Sequence, residues 1–237
     1  MTLSTQGTSL QVTSQQGTSL HGTSLQDTSL HGPQAQSAAP RGKERCIPVL
    51  ETERLTLRAP RHADIKAIVR LAGDRRVAEN TTRIPHPYTV ADAREWIGAA
   101  ISRSTATYLI TIGGEVIGGC SLDMRDDVPE LGYWLGVPFW GCGYATEAAR
   151  GLIDHAFGEC GHKVLTSGAL VSNSASRRVL EKCGFQWTGV GLYRIRAISS
   201  SAPVDRFRLE RSIWASLKSW GATHHAHHAV RRGESRD

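Results

Sequence analysis

The stretch Leu131-Gly-Tyr-Trp-Leu-Gly-Val-Pro-Phe-Trp-Gly-Cys-Gly-Tyr-Ala-Thr-Glu-Ala148 decides how the rest of the chain is read. Residues Glu130 to Val137 read as a strand; Pro138 ends it, and a glycine-rich turn leads into a helix from about Ala145 to Phe157. Gly141 and Gly143 thus fall between a strand and a helix N-terminus, where backbone N–H groups lack partners and the helix dipole is positive. Such a place binds anions. Glycine lets the backbone approach phosphate oxygens closely, and Ala145 keeps the next contact small. A plain tight turn is the competing reading, because short Gly-x-Gly runs are common in loops. Two nucleotide sites are disfavoured: Thr146 stands where a dinucleotide fingerprint needs its last glycine, and the chain has no Gly-Lys-Ser/Thr of a P-loop.

Outward from this stretch, strands and helices alternate. Arg54–Arg58 has period-two apolar residues and reads as a strand. A helix follows from about His62 to Ala72, with Ile65, Ile68, Val69 and Ala72 on one face and Asp64 in its first turn. Thr89 is an N-cap candidate for a helix from Val90 to about Arg103, with Ala93, Trp96, Ile97 and Ala100 as its buried stripe. Thr107–Ile112 and Glu115–Leu122 read as a hairpin joined by Gly113-Gly114. Downstream, a strand at Lys163–Leu170 precedes a helix at Ala175–Lys182, with Gly184 placed as its C-cap. Gln186–Tyr193 and Pro203–Leu209 close the pattern as a pair of strands.

The two ends read differently. From Thr8 to Gly32 the pentapeptides TSLQV, TSQQG, TSLHG, TSLQD and TSLHG follow one another. Each carries little apolar surface to offset the entropy cost of ordering, so residues 1–45 are expected to be a disordered low-complexity arm. Residues 220–237, with His224, His225, His227 and His228 and then Arg231 and Arg232, are expected to be a solvated His/Arg-rich tail. This leaves 46–219 as one domain of ordinary size. The net charge of +6 is spread thinly, about +1 in residues 1–45, about +3 in 46–217 and about +2 in 218–237, without a basic face interleaved with aromatics. A nucleic-acid partner is therefore not expected. Five cysteines without CxxC spacing suggest neither a disulfide framework nor a zinc module, and no apolar run is long enough to span a bilayer. The expectation is a cytoplasmic protein without metal or membrane contact.

The quoted stretch resembles the acyl-CoA pyrophosphate loop of the GNAT superfamily, with Gly143 and Ala145 on its two small positions. Trp140 in place of the usual polar first residue resembles the RimJ/RimL branch, the ribosomal-protein N-terminal acetyltransferases and their relatives. Asn173-x-x-Ser176-x-x-x-Leu180-Glu-Lys-Cys-Gly184-Phe185 resembles a second motif of that branch, and Thr52-Glu-Arg-Leu-Thr-Leu-Arg-Ala-Pro60 a third. Together they cover about residues 50–215. The resemblance implies an α/β (α+β) GNAT fold: a mixed, mostly antiparallel sheet, splayed between its fourth and fifth strands and flanked by helices. It also implies acetyl-CoA as the acyl donor. Its binding residues would be Leu135, Val137, Trp140, Gly141, Cys142, Gly143, Tyr144, Ala145, Thr146, Asn173 and Ser176, with Ser176 towards the thioester sulfur. Asn173 and Ser176 as mere helix caps is the alternative.

In such a framework the enzyme aligns an uncharged amine against an already activated thioester and stabilises the oxyanion. Some group must take the amine's proton. Glu130 is the candidate base, with Asp126 and Asp127 as weaker ones and an exposed strand-end carboxylate as the alternative reading of Glu130. Many GNAT enzymes place a tyrosine seven residues after the asparagine as general acid; here that residue is Leu180, which leaves Ser176 or water to protonate sulfur. Cys142 and Cys183 are not needed for direct transfer. The expected activity is acetyl transfer from acetyl-CoA to a primary amine, a small molecule or a protein N-terminus, by a monomer or homodimer. A catalytically inactive acyl-CoA sensor is the alternative, motivated by Leu180. Arg75–Tyr88 and Ser199–Pro203 are expected to border the acceptor cleft, with Arg83 or His86 available for a carboxylate or phosphate.

Overall fold

A computed structural model describes residues 47–102, 106–125 and 128–220. The arm at 1–45, Cys46, Asp126, Asp127 and the tail beyond Trp220 lie outside the described residues. Eight strands form one sheet: β1 (Leu50–Glu51), β2 (Thr56–Arg58), β3 (Ala106–Ile112), β4 (Glu115–Arg125), β5 (Val128–Leu135), β6 (Val164–Leu170), β7 (Gln186–Ile195) and β8 (Ser200–Glu210). Their order is β1-β2-β3-β4-β5-β6-β8-β7. Among the described residues six α-helices accompany them: α1 (Ile65–Ala72), α2 (Arg75–Glu79), α3 (Val90–Ser102), α4 (Tyr144–Gly158), α5 (Ser174–Lys182) and α6, residues 211–220.

The helices cover both faces of the sheet, and β3 shows how one strand serves two layers. Alternation sends Tyr108 and Ile110 into the core beneath α4, with Leu152, Phe157 and Phe207, and sends Leu109 into the core beneath α1 and α3, with Ile68, Ala93 and Ile97. All of these side chains are buried. The expected stripe of α3 is thus the one that packs, and its cap is a reciprocal box: Asp92 N–H donates to Thr89 Oγ1 (3.2 Å) and Thr89 N–H donates to Asp92 Oδ2 (2.8 Å). The end of α5 is a Schellman turn. Phe185 N–H reaches Leu180 O (3.0 Å), Gly184 N–H reaches Glu181 O (3.0 Å), and Leu180 and Phe185 join the core.

The single parallel neighbour pair among the described strands, β5 with β6, positions the site. It registers only at Glu130↔Thr166 and Leu131↔Ser167. Beyond it β5 stays with β4 as far as Leu135↔Gly118, and β6 stays with β8 as far as Leu170↔Val204. Each strand keeps its antiparallel partner, so the two part from each other in a wedge. The last tie across it is Ser167 Oγ–H to Leu131 O (2.8 Å). Counted from β2, this is the splay between the fourth and fifth strands that the resemblance implied; the two-residue β1 adds one to the count.

Several local outcomes differ from the expectations, the unforeseen α2 and two-residue β1 among them. The strand expected at Glu130–Val137 runs from Val128 to Leu135, because a 3-10 turn with Pro138 at its centre takes over at Val137–Phe139. The helix expected from His62 starts as a 3-10 turn at His62–Asp64 before α1. And α6 was not foreseen. Its Ile213 and Trp214 pack on the core, Trp214 Nε1–H donates to Asp154 Oδ1 (2.6 Å), and Lys218 Nζ pairs with Asp154 Oδ2 (2.9 Å), which fastens α6 to α4. No helix among the described residues is long and apolar enough to cross a membrane.

Candidate active site

At the entry to α4 both glycines are left-handed, Gly141 at φ +77° and Gly143 at φ +82°. Gly143 is the N-cap of α4 and no side chain caps it; the first intrahelical bond is Glu147 N–H to Gly143 O (3.1 Å). The N–H groups of Tyr144, Ala145 and Thr146 therefore precede the helical ladder and form the positive end of a 15-residue helix. A Cβ on Gly143 would meet only Arg54 Nη2, at 3.5 Å, so the protein itself leaves that side open. The loop fits a phosphate group. Its φ makes Gly141 as intolerant of a side chain as Gly143.

A brace that sequence reading missed holds this loop. Arg54 Nε donates to Glu147 Oε2 (2.7 Å), its Nη1 donates to Cys142 O (3.2 Å), and its guanidinium lies 4.7 Å from the Tyr144 ring centroid. Glu147 Oε1 accepts from Thr52 Oγ1 and from Arg54 N–H, both at 2.7 Å. Partial burial pushes the Glu147 carboxyl up, but the hydrogen bonds from Thr52 and Arg54 outweigh it and hold the group below the usual carboxylate range. The signal was in the sequence: Thr52 and Arg54 belong to the opening motif and Glu147 to the loop motif. The contact joining them spans 93 residues.

Along the wedge, Asn173 caps α5, accepting Ser176 N–H at Oδ1 (3.0 Å). Ser176 Oγ lies 2.8 Å from Tyr133 Oη, and Tyr133 O–H also reaches Ser176 O (3.1 Å). Leu180, at the place of the usual tyrosine, is fully buried in the core. A phenol nevertheless reaches Ser176, delivered by β5. Burial pushes the Tyr133 phenol well above its ordinary value, against the opposing hydrogen bond with Ser176, so it stays protonated and serves as a donor. Sequence reading missed Tyr133 because in an alternating strand it looks like one more apolar position.

Two adjoining cavities occupy the wedge. One, of about 390 Å³, is lined by Leu135, the loop residues Trp140, Gly141, Gly143 and Tyr144–Thr146, and Asn173. The other, of about 400 Å³, is lined by Arg83, Asp123, Glu130, Gly168 and Arg206. They share Asn80, Thr81, Tyr133, Trp134 and Ser176, so the Tyr133–Ser176 pair stands where they meet. Of the expected cofactor residues, Val137 and Cys142 do not line the first cavity. Val137 sits in the 3-10 turn, where its carbonyl accepts Trp140 N–H (3.2 Å), and Cys142 offers its carbonyl to Arg54. Trp140 turns its indole N–H onto Leu135 O (2.8 Å), tying the loop to the end of β5.

In the second cavity Glu130 is nearly buried, its side chain 13% exposed, so it is not the exposed strand-end carboxylate of the alternative reading. Arg206 Nη1 donates to its Oε1 (2.7 Å) and Arg83 Nη2 lies 3.6 Å from its Oε2. Arg83 also pairs with Asp123. Asn80–Pro85 and Tyr88 form part of the wall, as expected of Arg75–Tyr88. His86 does not line it, and Arg196, Val204 and Arg206 stand where Ser199–Pro203 were expected.

Known proteins share this architecture. Residues 54–186 match the family profile of the acetyltransferase (GNAT) domain. The uncharacterized N-acetyltransferase p20 of Bacillus licheniformis is 31% identical over 153 residues, which is 60% of this chain and 84% of that protein. Among solved structures, Mycobacterium smegmatis RimJ in complex with CoA-disulfide superposes with a TM-score of 0.63 at 18% identity, over 74% of this chain and 95% of that one. The RimL ribosomal L7/L12 alpha-N-protein acetyltransferase, in complex with coenzyme A, gives 0.60 at 18%, over 69% and 98%. Profile, relative and fold agree with the splayed sheet and the open helix end, and the chain belongs to the GNAT family of acetyl-CoA-dependent N-acetyltransferases.

Proposed function

We propose that the two cavities divide the reaction: acetyl-CoA lies along the loop-side cavity, a primary amine enters the acceptor-side one, and the acetyl group passes directly between them at Tyr133 and Ser176. The observation that carries this reading is the sharing of that hydroxyl pair by both cavities. The Tyr144–Thr146 N–H groups hold the pyrophosphate, with the Arg54–Glu147 brace fixing the loop. Tyr133 O–H donates to Ser176 Oγ and orients the serine proton towards the departing thiolate, the task a tyrosine at position 180 would have had. Glu130 takes the proton of the incoming ammonium, and Arg206 and Arg83 keep its carboxylate in place.

Glu130→Gln tests the proton step. Turnover at neutral pH should fall on the order of 10²-fold, with the KM for acetyl-CoA little changed. The variant's rate should then climb with pH as the amine deprotonates on its own. A variant that loses turnover by the same factor at every pH would show that Glu130 only anchors the two arginines.

A further inference from the structure

At the far end of α4 from the cofactor loop, outside both cavities, a second group of reactive side chains comes together. α4 ends at Gly158, and the chain folds back so that Cys160 N–H donates to His155 O (3.0 Å) and His162 N–H donates to Ala156 O (3.1 Å), with Gly161 left-handed at φ +72°. This turn sets Cys160 Sγ 3.4 Å from His155 Nε2, while His155 Nδ1 lies 3.0 Å from Glu159 Oε2. His155 is 9% exposed, whereas Glu159 and Cys160 face solvent. The hydroxyl of Tyr108, wholly buried, makes no hydrogen bond among the described residues and lies within electrostatic reach of Cys160, Glu159 and Cys120. Its ring meets the His155 ring edge-on, with centroids 6.4 Å apart.

We propose that Cys160 is an activated thiol, paired with His155 and oriented by Glu159, that undergoes exchange with low-molecular-weight disulfides. A carboxylate at Nδ1 keeps the ring proton there and leaves the Nε2 lone pair facing the thiol. When Nε2 takes the thiol proton, the imidazolium so formed stands against the Glu159 carboxylate. The Cys160 thiolate attacks one sulfur of the disulfide; the new S–S bond forms as the old one breaks, and the expelled thiolate takes the proton from His155. Cys160 is oxidised and the disulfide reduced, so no other reactant is needed. The remaining described cysteines set the contrast. Burial pushes Cys120 up to about 12 and Cys183 up to about 11, which leaves both inert. Cys142 is exposed, with its Sγ facing the Trp140 carbonyl at 3.5 Å, and is the internal reference.

The full chain is incubated with oxidised glutathione at pH 7, and the adduct at each cysteine is timed by peptide mass mapping. Cys160 should react about threefold or more faster than Cys142, the order left after a larger thiolate fraction is offset by lower nucleophilicity. Glu159→Ala, at an exposed position that does not threaten folding, should remove that advantage, as should His155→Asn once circular dichroism shows it folded. Equal rates at Cys160 and Cys142 in the unaltered protein, or an advantage that survives Glu159→Ala, would overturn the proposal.

Discussion

Gly143→Ala and Gly141→Ala form a matched pair that separates backbone strain from ligand contact. Both glycines have nearly the same left-handed φ, +82° and +77°. An added Cβ meets nothing within 4 Å at Gly141 and only Arg54 Nη2, at 3.5 Å, at Gly143. Neither substitution carries a steric penalty inside the protein, so each costs the strain of an L residue in that region, about 1–2 kcal/mol. For a domain of this size that lowers the melting temperature by about 2–8 °C, equally in the two variants. Ligand affinity should not fall equally. Gly143 is the N-cap, next to the Tyr144–Thr146 N–H groups that hold the pyrophosphate in the proposed binding mode, so an added Cβ there should cost a ligand contact; loss of one charge-assisted hydrogen bond is worth about 1.5–3 kcal/mol, or about 10- to 150-fold in Kd. Calorimetric titration with acetyl-CoA, alongside thermal melts, reads both quantities. Equal melting shifts with a Kd ratio near one between the variants would refute the assignment of this loop as the phosphate cradle.

Other outcomes follow from the same geometry. Arg54→Ala removes the brace without emptying the core, so the Kd for acetyl-CoA should rise about three- to tenfold by titration while the melting temperature moves by only a few degrees. Tyr133→Phe removes the donor to Ser176, and steady-state kinetics should show kcat down about tenfold with the KM for acetyl-CoA retained; a rise in KM alone would assign Tyr133 to binding. Burial pushes the Asp64 carboxyl up, but the paired Arg58 guanidinium (2.7 and 2.8 Å) and Arg61 N–H outweigh it and hold the group below its ordinary 3.8. The unfolded chain therefore takes up this proton first as pH falls: the contribution is full above about pH 4 and is lost as pH drops through the folded value. Asp64→Asn should accordingly flatten the acid limb of a plot of melting temperature against pH.

Local signals were the legible ones. The Gly113-Gly114 hairpin, the Thr89 cap with its Ala93-Ile97-Ala100 stripe, and the glycine turn into α4 each depend on residues close in sequence, and each forms where its pattern lies. The wedge between β5 and β6 was legible only through family resemblance, because hydrophobic alternation gives no sign that two strands will pair at two residues and then part. Long-range contacts escaped for the same reason. Thr52 and Arg54 meet Glu147 across most of the domain, Arg206 meets Glu130 across 76 residues, and Tyr133 meets Ser176 across 43. Leu180 alone suggested that the general acid was missing; the fold brings a phenol, Tyr133, to Ser176 from a different element, and the proposed mechanism gives the pair that task. Helix α6 was overlooked although Ile213, Trp214 and Leu217 have helical spacing, since its docking depends on Asp154 and on Gly184, where a Cβ would meet Leu217 Cδ1 at 2.5 Å.

The central claim is direct transfer from acetyl-CoA to an amine at the junction of the two cavities. Its most direct measurement is a rapid-quench time course with acetyl-CoA and a panel of primary amines, from small molecules to peptide N-termini, following coenzyme A thiol, acetylated amine and the intact mass of the protein together. The account predicts that thiol and acetylated amine appear in equal amounts from the first turnover, with the protein's mass unchanged, and that Ser176→Ala slows both alike. An acetylated protein that forms before the product, or thiol released without any acetylated amine, would contradict it.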